Sequence, residues 1–245
     1  MKVIVTKDYE EMSDAAFEIM STTVSENPRA VLGLATGSTP LGLYSRMVAD
    51  HEKNGTSYKE IKTVNLDEYI GLDSDNKESY AYFMRKNLFD FIDIKKENTN
   101  IEDGTAKDFG AECERYNTLL SALRQDIQVL GLGSNGHIAF NEPGTPFNSV
   151  THVVSLSEST IKDNSRLFDS IDDVPKKAFT MGLSNIMNAK KIIILASGEN
   201  KAKAVYGMVK GKICVDVPAS ILQNHADTTL ICDASAAKLI EDFVK

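Results

Sequence analysis

Three short stretches combine residue types that could move protons or hold an anion. GSNGHIAFNEPG, Gly133 to Gly144, places His137 directly behind a glycine run and sets Asn135 and Glu142 close by. The chain has only four histidines, and an imidazole can take and return a proton near neutral pH. Glu142 and Asn135 could fix its tautomer by hydrogen bonds. The plain reading is a capping histidine in a tight loop, and the density of polar neighbours favours the site. NLDEYIGL, Asn65 to Leu72, puts the carboxylates of Asp67 and Glu68 side by side after an apolar run. Adjacent residues at a strand end point in different directions, so one of them should face a crevice and could act as a general base if its surroundings tune it. Its plain alternative is a helix cap or a solvated loop acid. TGSTP, Thr36 to Pro40, gathers Gly37, Ser38 and Thr39 ahead of a helical segment. Backbone N–H groups and hydroxyls at a helix start suit a phosphate. An ordinary N-cap by Ser38 or Thr39 accounts for the same residues.

Two cations stand apart from these stretches. Lys201 lies in SGENK and Arg166 in DNSRLF. Either could pair with a phosphate, and either alone reads as a solvated side chain. Gly131, Gly133 and Gly136 match the GxGxxG of dinucleotide sites, but that fingerprint should open a helix. Here Pro143 and Gly144 follow too soon for a regular helix, so the glycines are read as room for a sharp turn close to a ligand. His51 and His152 read as surface residues and His225 as a turn residue.

The elements that must position these groups alternate. Buried-type strands are predicted at Val3–Thr6, Ala30–Ala35, Thr63–Leu66, Ile127–Leu132, Lys191–Ala196 and Thr228–Cys232, with an edge strand at Thr151–Val154. Helices are predicted at Tyr9–Ser25, Leu41–Asn54, Ser79–Phe89, Ala106–Leu123, Asn200–Val209 and Ala234–Val244. Continuous apolar strands between helices imply a mostly parallel sheet covered on both faces. Ligands then belong beyond the carboxyl ends of the strands, where the stretches quoted above fall. No linker or repeat divides residues 1–245, so a single α/β domain is expected, with residues 155–174 as a polar segment that is a lid or an ordinary insertion.

Composition bounds the rest. A net charge of −8 over 245 residues argues against a nucleic-acid surface, and no apolar run reaches the ~18 residues of a membrane span. Three scattered cysteines without a CxxC pair fit a reducing cytoplasm and no metal site.

Taken in order, TGSTP, NLDEYIGL, GSNGHIAFNEPG, NSRLF and SGENK resemble the glucosamine-6-phosphate deaminase family over essentially the whole chain. The resemblance implies a NagB-type, Rossmann-like fold and conversion of glucosamine 6-phosphate and water to fructose 6-phosphate and ammonium, with no cofactor. It implies that His137 opens the sugar ring with Glu142 as partner. Asp67 carries the C2 proton to C1, and Gly37, Ser38, Thr39, Arg166 and Lys201 surround the phosphate. Two departures stand out. Many members have aspartate where Asn135 stands, which leaves Glu142 as the charged partner of His137. Allosteric members carry a basic cluster after NEP, whereas Gly144 to His152 here contain no Lys or Arg. Hence no activation by N-acetylglucosamine 6-phosphate is expected, and a monomer or small homo-oligomer. The rivals are a 6-phosphogluconolactonase, which needs no C2 base, a nicotinamide-dependent oxidoreductase resting on GxGxxG alone, and a non-catalytic sugar-phosphate sensor.

Overall fold

Seven parallel strands make the central sheet of the computed structural model, which describes residues 1–156, 170 and 174–240. In chain order they are β1 (Lys2–Thr6), β2 (Val31–Leu34), β3 (Lys62–Asn65), β5 (Thr99–Asn100), β6 (Ile127–Gly131), β9 (Ile192–Ala196) and β10 (Thr228–Asp233). Their spatial order is β1-β10-β9-β6-β2-β3-β5. The apolar runs VLGL and IIILA are buried along their whole length, as strands covered on both faces must be.

Each face has its own core. Met12, Ala16 and Met20, spaced four apart on helix α1 (Tyr9–Glu26), pack with Leu32, Ile193 and Ile231. Tyr116 and Leu120 of α4 (Phe109–Ala122) pack on the other face with Val64, Leu130 and Ile194. The helix starts carry conventional caps: Asp8 accepts from Glu11 N–H ahead of α1, and Asp108 from Ala111 N–H ahead of α4.

The chain runs outward in one direction from β2 to β3 and β5, and in the other from β6 to β9 and β10. The order therefore reverses between β2 and β6. At such a point the following loops part and leave a crevice. TGSTP leaves β2 and GSNGHIAFNEPG leaves β6, one on each side of it. Helix α2 (Leu41–Asn54) follows the first loop directly.

A second sheet was not foreseen. β4 (Asp67–Tyr69), β8 (Lys177–Thr180) and β7 (His152–Ser155) form a three-stranded antiparallel sheet. The Thr151–Val154 segment expected at the edge of the main sheet belongs here. Three- and four-residue strands show too few alternations to reveal a period; only pairing across 110 residues of chain makes DEY a strand. Other differences are local. A 3-10 turn, Glu199–Lys201, precedes the helix Ala202–Val209, and the last helix covers Ala234–Ala237, with residues 241–245 outside the described set. The expected 155–174 lid and Arg166 also lie almost wholly outside the described residues. Among the described residues no helix is long and apolar enough to cross a membrane.

Candidate active site

The paired carboxylates separate into two roles. Glu68 is 2% exposed, and its side chain accepts N–H bonds from Tyr80 (2.9 Å), Ala81 (2.8 Å) and Tyr69 (2.8 Å). Two of those donors open α3 (Tyr80–Asn87), so Glu68 ties the start of that helix to β4 alongside the Ser79 cap. Burial still outweighs the three hydrogen bonds and pushes its pKa up to about 7. Asp67 makes no hydrogen bond among the described residues. It pairs in register with Thr180, is 6% exposed, and is pushed up to about 8 by burial first and by the neighbouring Glu68 charge second. A nearly dehydrated, unpaired carboxyl with an elevated pKa is suited to accept a proton from carbon.

Near them Glu102 is buried, neither oxygen has a hydrogen-bond partner among the described residues, and burial drives its pKa well above the usual carboxylate range. The three acids have a joint consequence. In the unfolded chain they titrate near pH ~4, while in the folded chain they hold their protons to higher pH. Their contribution to stability is full below pH ~4 and is lost as pH rises, for Asp67 and Glu68 through about 7 to 8 and for Glu102 in the same direction. Urea-unfolding midpoints should therefore fall from pH 5 to pH 8.5, and fall less steeply in Asp67→Asn and Glu102→Gln; equal slopes in all three proteins would contradict the burial of these charges.

The histidine loop is shaped by sterics. A Cβ on Gly133 would lie 2.4 Å from the His137 ring, so the ring can rest there only over a glycine. Gly136 adopts φ 87° and donates its N–H to Gly133 O, and Ala139 sits at φ 52°, a left-handed conformation that costs a non-glycine residue about 1–2 kcal/mol. That strain is held by Asn141, fully buried, whose Nδ2 donates to Ile138 O (3.0 Å) and Met181 O (2.8 Å). Phe140 N–H donates to Thr180 Oγ1 at 3.1 Å. The strand that faces Asp67 thus also anchors the His137 loop. No helix follows Gly136, as the reading against a dinucleotide site required.

Within the loop, Nδ1 of His137 lies 3.3 Å from Glu142 Oε1, an ion-pair distance without hydrogen-bond alignment. Asn135 does not orient the ring. Its Oδ1 accepts the backbone N–H of His137 (3.1 Å) and its Nδ2 donates to Glu142 Oε2 (2.7 Å). Asparagine positions the glutamate, and the glutamate faces the imidazole. With Nδ1 turned toward Glu142, Nε2 is the nitrogen left for chemistry.

The third stretch is held from outside by two tyrosines that sequence reasoning missed. Tyr44 OH donates to Ala35 O (2.5 Å) and accepts Ala35 N–H (3.1 Å). Tyr9 OH accepts Gly42 N–H (2.8 Å) and faces Ser38 O at 3.0 Å. Gly37 takes φ 91° in the turn. The N-cap of α2 is Pro40, one residue past Thr39, and no side chain caps the helix. Ser38 and Thr39 are therefore not caps. Both line a groove of about 750 Å³ with Ser197, Asn200 and Lys201. Asp233 shapes the far wall by accepting from Ser197 Oγ (2.5 Å) and Gly198 N–H (2.9 Å). Arg46 also lines this groove, with its guanidinium engaged by Glu10 and Asp14.

Tyr80 links the parts. It interacts with Thr36 of the TGSTP loop, its hydroxyl lies 3.2 Å from that of Tyr69, and its ring stacks on Phe140 with centroids 6.2 Å apart. No spacing rule could have marked it, because its partners come from one strand and two loops far apart in the chain.

The chain belongs to the family described as Glucosamine-6-phosphate isomerases/6-phosphogluconolactonase, which it matches over residues 7–231. It is 49% identical over 242 residues to a glucosamine-6-phosphate deaminase of Clostridium perfringens, covering 98% of this chain and 100% of that one. The solved structure of a monomeric glucosamine-6-phosphate deaminase superposes with a TM-score of 0.95 at 50% identity, covering 98% of this chain and 100% of the other. A 6-phosphogluconolactonase from Trypanosoma brucei shares the fold, with a TM-score of 0.81 at 22% identity and 98% of each chain covered.

Proposed function

We propose that the protein is a glucosamine-6-phosphate deaminase whose ring-opening base is His137 and whose proton shuttle is Asp67. The observation that carries this reading is the state of Asp67: buried, unpaired and elevated to about 8, on a strand whose partner also anchors the histidine loop. A lactonase opens an ester with water and has no use for a base aimed at carbon.

The chemistry follows in order. The phosphate rests against Ser38, Thr39 and Lys201, with the uncapped start of α2 at its side. His137 Nε2 takes the anomeric hydroxyl proton as the C1–O5 bond breaks, and the proton passes to O5. Glu142 stabilises the imidazolium formed in between. Asp67 then removes the C2 proton and delivers it to C1 through an enol-type intermediate, leaving an imine at C2. Water adds to C2 and ammonia departs, which balances glucosamine 6-phosphate and water against fructose 6-phosphate and ammonium. The three cysteines are unpaired, in keeping with a cytoplasmic setting.

The test is to follow ammonium and fructose 6-phosphate together from glucosamine 6-phosphate. Equal yields are expected. Hydrolysis of 6-phosphogluconolactone with no ammonium from the amino sugar would replace the deaminase reading with the lactonase one.

Regulation should be simple. The segment Gly144 to His152 offers no Lys or Arg for a second phosphate, and the similar deaminase of solved structure is monomeric. Initial rates should be hyperbolic in substrate and unchanged by N-acetylglucosamine 6-phosphate, and light scattering should give a monomer. A sigmoidal curve that this ligand straightens would refute the prediction.

A further inference from the structure

A second cavity lies away from the groove just described, between α3 and the β3–β5 edge of the main sheet. Its volume is about 460 Å³, inside the range of ~300–1,000 Å³ typical of small-molecule sites. Asn65 lines it and is 1% exposed, yet its Nδ2 has no hydrogen-bond partner among the described residues. Thr63, two residues earlier and so on the same face of β3, has a buried Oγ1 that is likewise unpartnered. Buried polar atoms are rarely left so, and one on a residue of the cavity wall calls for a polar occupant.

The walls set the rest of its character. Met84, Phe89 and Ile94 line an apolar slot, while Arg85 and Lys96 add two positive charges against the single negative charge of Asp90. The Arg85 guanidinium already holds Asp75, but that carboxylate is 82% exposed, and such a pair yields readily to a better anion. Lys96 has no ion pair among the described residues. An asparagine amide is a donor–acceptor edge that can pair with a heterocycle after rotation about its last torsion.

We propose that this cavity binds a small planar heteroaromatic phosphate of the mononucleotide class, with the base in the slot toward Asn65 and the phosphate at Arg85 and Lys96. The cavity shares the wall of α3 with the catalytic strand, since Ala81 lines it and gives its N–H to Glu68. An occupant therefore meets the start of the helix that holds Glu68, the chain neighbour of Asp67.

Isothermal titration of the intact protein with adenosine 5′-monophosphate, adenosine, ribose 5-phosphate and inorganic phosphate tests this. The mononucleotide should bind at least about tenfold more tightly than any of its parts. Lys96→Glu should weaken it about tenfold or more, Ile94→Trp, which fills the slot, should abolish it, and saturating fructose 6-phosphate should leave it in place. Three results overturn the proposal: binding no tighter than inorganic phosphate, displacement by fructose 6-phosphate, or indifference to both substitutions. Circular dichroism of the two variants, matched to the parent, shows that lost binding reports the cavity and not unfolding.

Discussion

Asp67→Asn should lower kcat/KM for glucosamine 6-phosphate by about 10³-fold or more, within the upper range that a positioned general base contributes, while the protein becomes more stable at pH 8. The two effects have one cause. The Asp67 carboxyl is buried, has no hydrogen bond among the described residues and shares its surroundings with Glu68. Ionising it in the folded chain is costly, and asparagine removes that cost together with the base. In the unliganded protein its pKa of about 8 leaves most molecules protonated at neutral pH. Hence kcat/KM, which reports free enzyme, should climb with pH until about 8. A bound substrate places its C2 amino group beside the acid, and in its ammonium form that group favours the carboxylate. The rising limb of kcat should therefore lie at lower pH than that of kcat/KM. Deuterium incorporation at C1 of fructose 6-phosphate in heavy water checks the assignment, since it should vanish with the mutation. A variant that kept wild-type exchange would remove Asp67 from the reaction.

How much of this could be read from the sequence depends on the range of the interactions concerned. Six of the seven strands of the central sheet were legible because runs such as AVLGLA and KIIILA are apolar throughout and separated by helical periods; β5, two residues long, shows no such run. The rule that ligands lie beyond the carboxyl ends of parallel strands made the loops after these runs candidates, whereas the reversal between β2 and β6 shows only in the strand order. The choice between Asp67 and Glu68 was not legible. It depends on DEY forming a strand with KAFT, so that alternate side chains turn opposite ways, and on the N–H groups of Tyr80 and Ala81 arriving from twelve and thirteen residues downstream. Asn135 shows the same limit at short range. Its neighbours suggested an orienting role on the ring, but the turn at Gly136 swings its amide to the His137 backbone and to Glu142 instead. Tyr9 and Tyr44 carry no local signal, because a tyrosine that clamps a loop and one that fills a core have the same helical spacing.

The histidine and its glutamate should separate in a graded way. His137→Gln deletes the group that accepts and returns the ring-opening proton, so kcat/KM should fall by about 10²- to 10⁴-fold. Ring opening then proceeds only at the rate of the free sugar, and exchange at C1 should become independent of enzyme concentration once opening limits it. Glu142→Gln keeps the size of the side chain and an acceptor oxygen for Asn135 Nδ2, but removes the negative charge 3.3 Å from Nδ1. An opposite charge this close favours the transient imidazolium by about 10-fold or more, so the loss should be about 10- to 100-fold, smaller than that of His137→Gln. Restoring a second charge tests the division of labour. Asn135→Asp puts a carboxylate where Asn135 now bridges the two residues, so in the Glu142→Gln background it should recover part of the rate, and alone it should cost activity by setting two acids against each other at 2.7 Å. If Glu142→Gln opened the ring at the normal rate, the imidazolium would need no charged partner and His137 would work through the loop backbone alone.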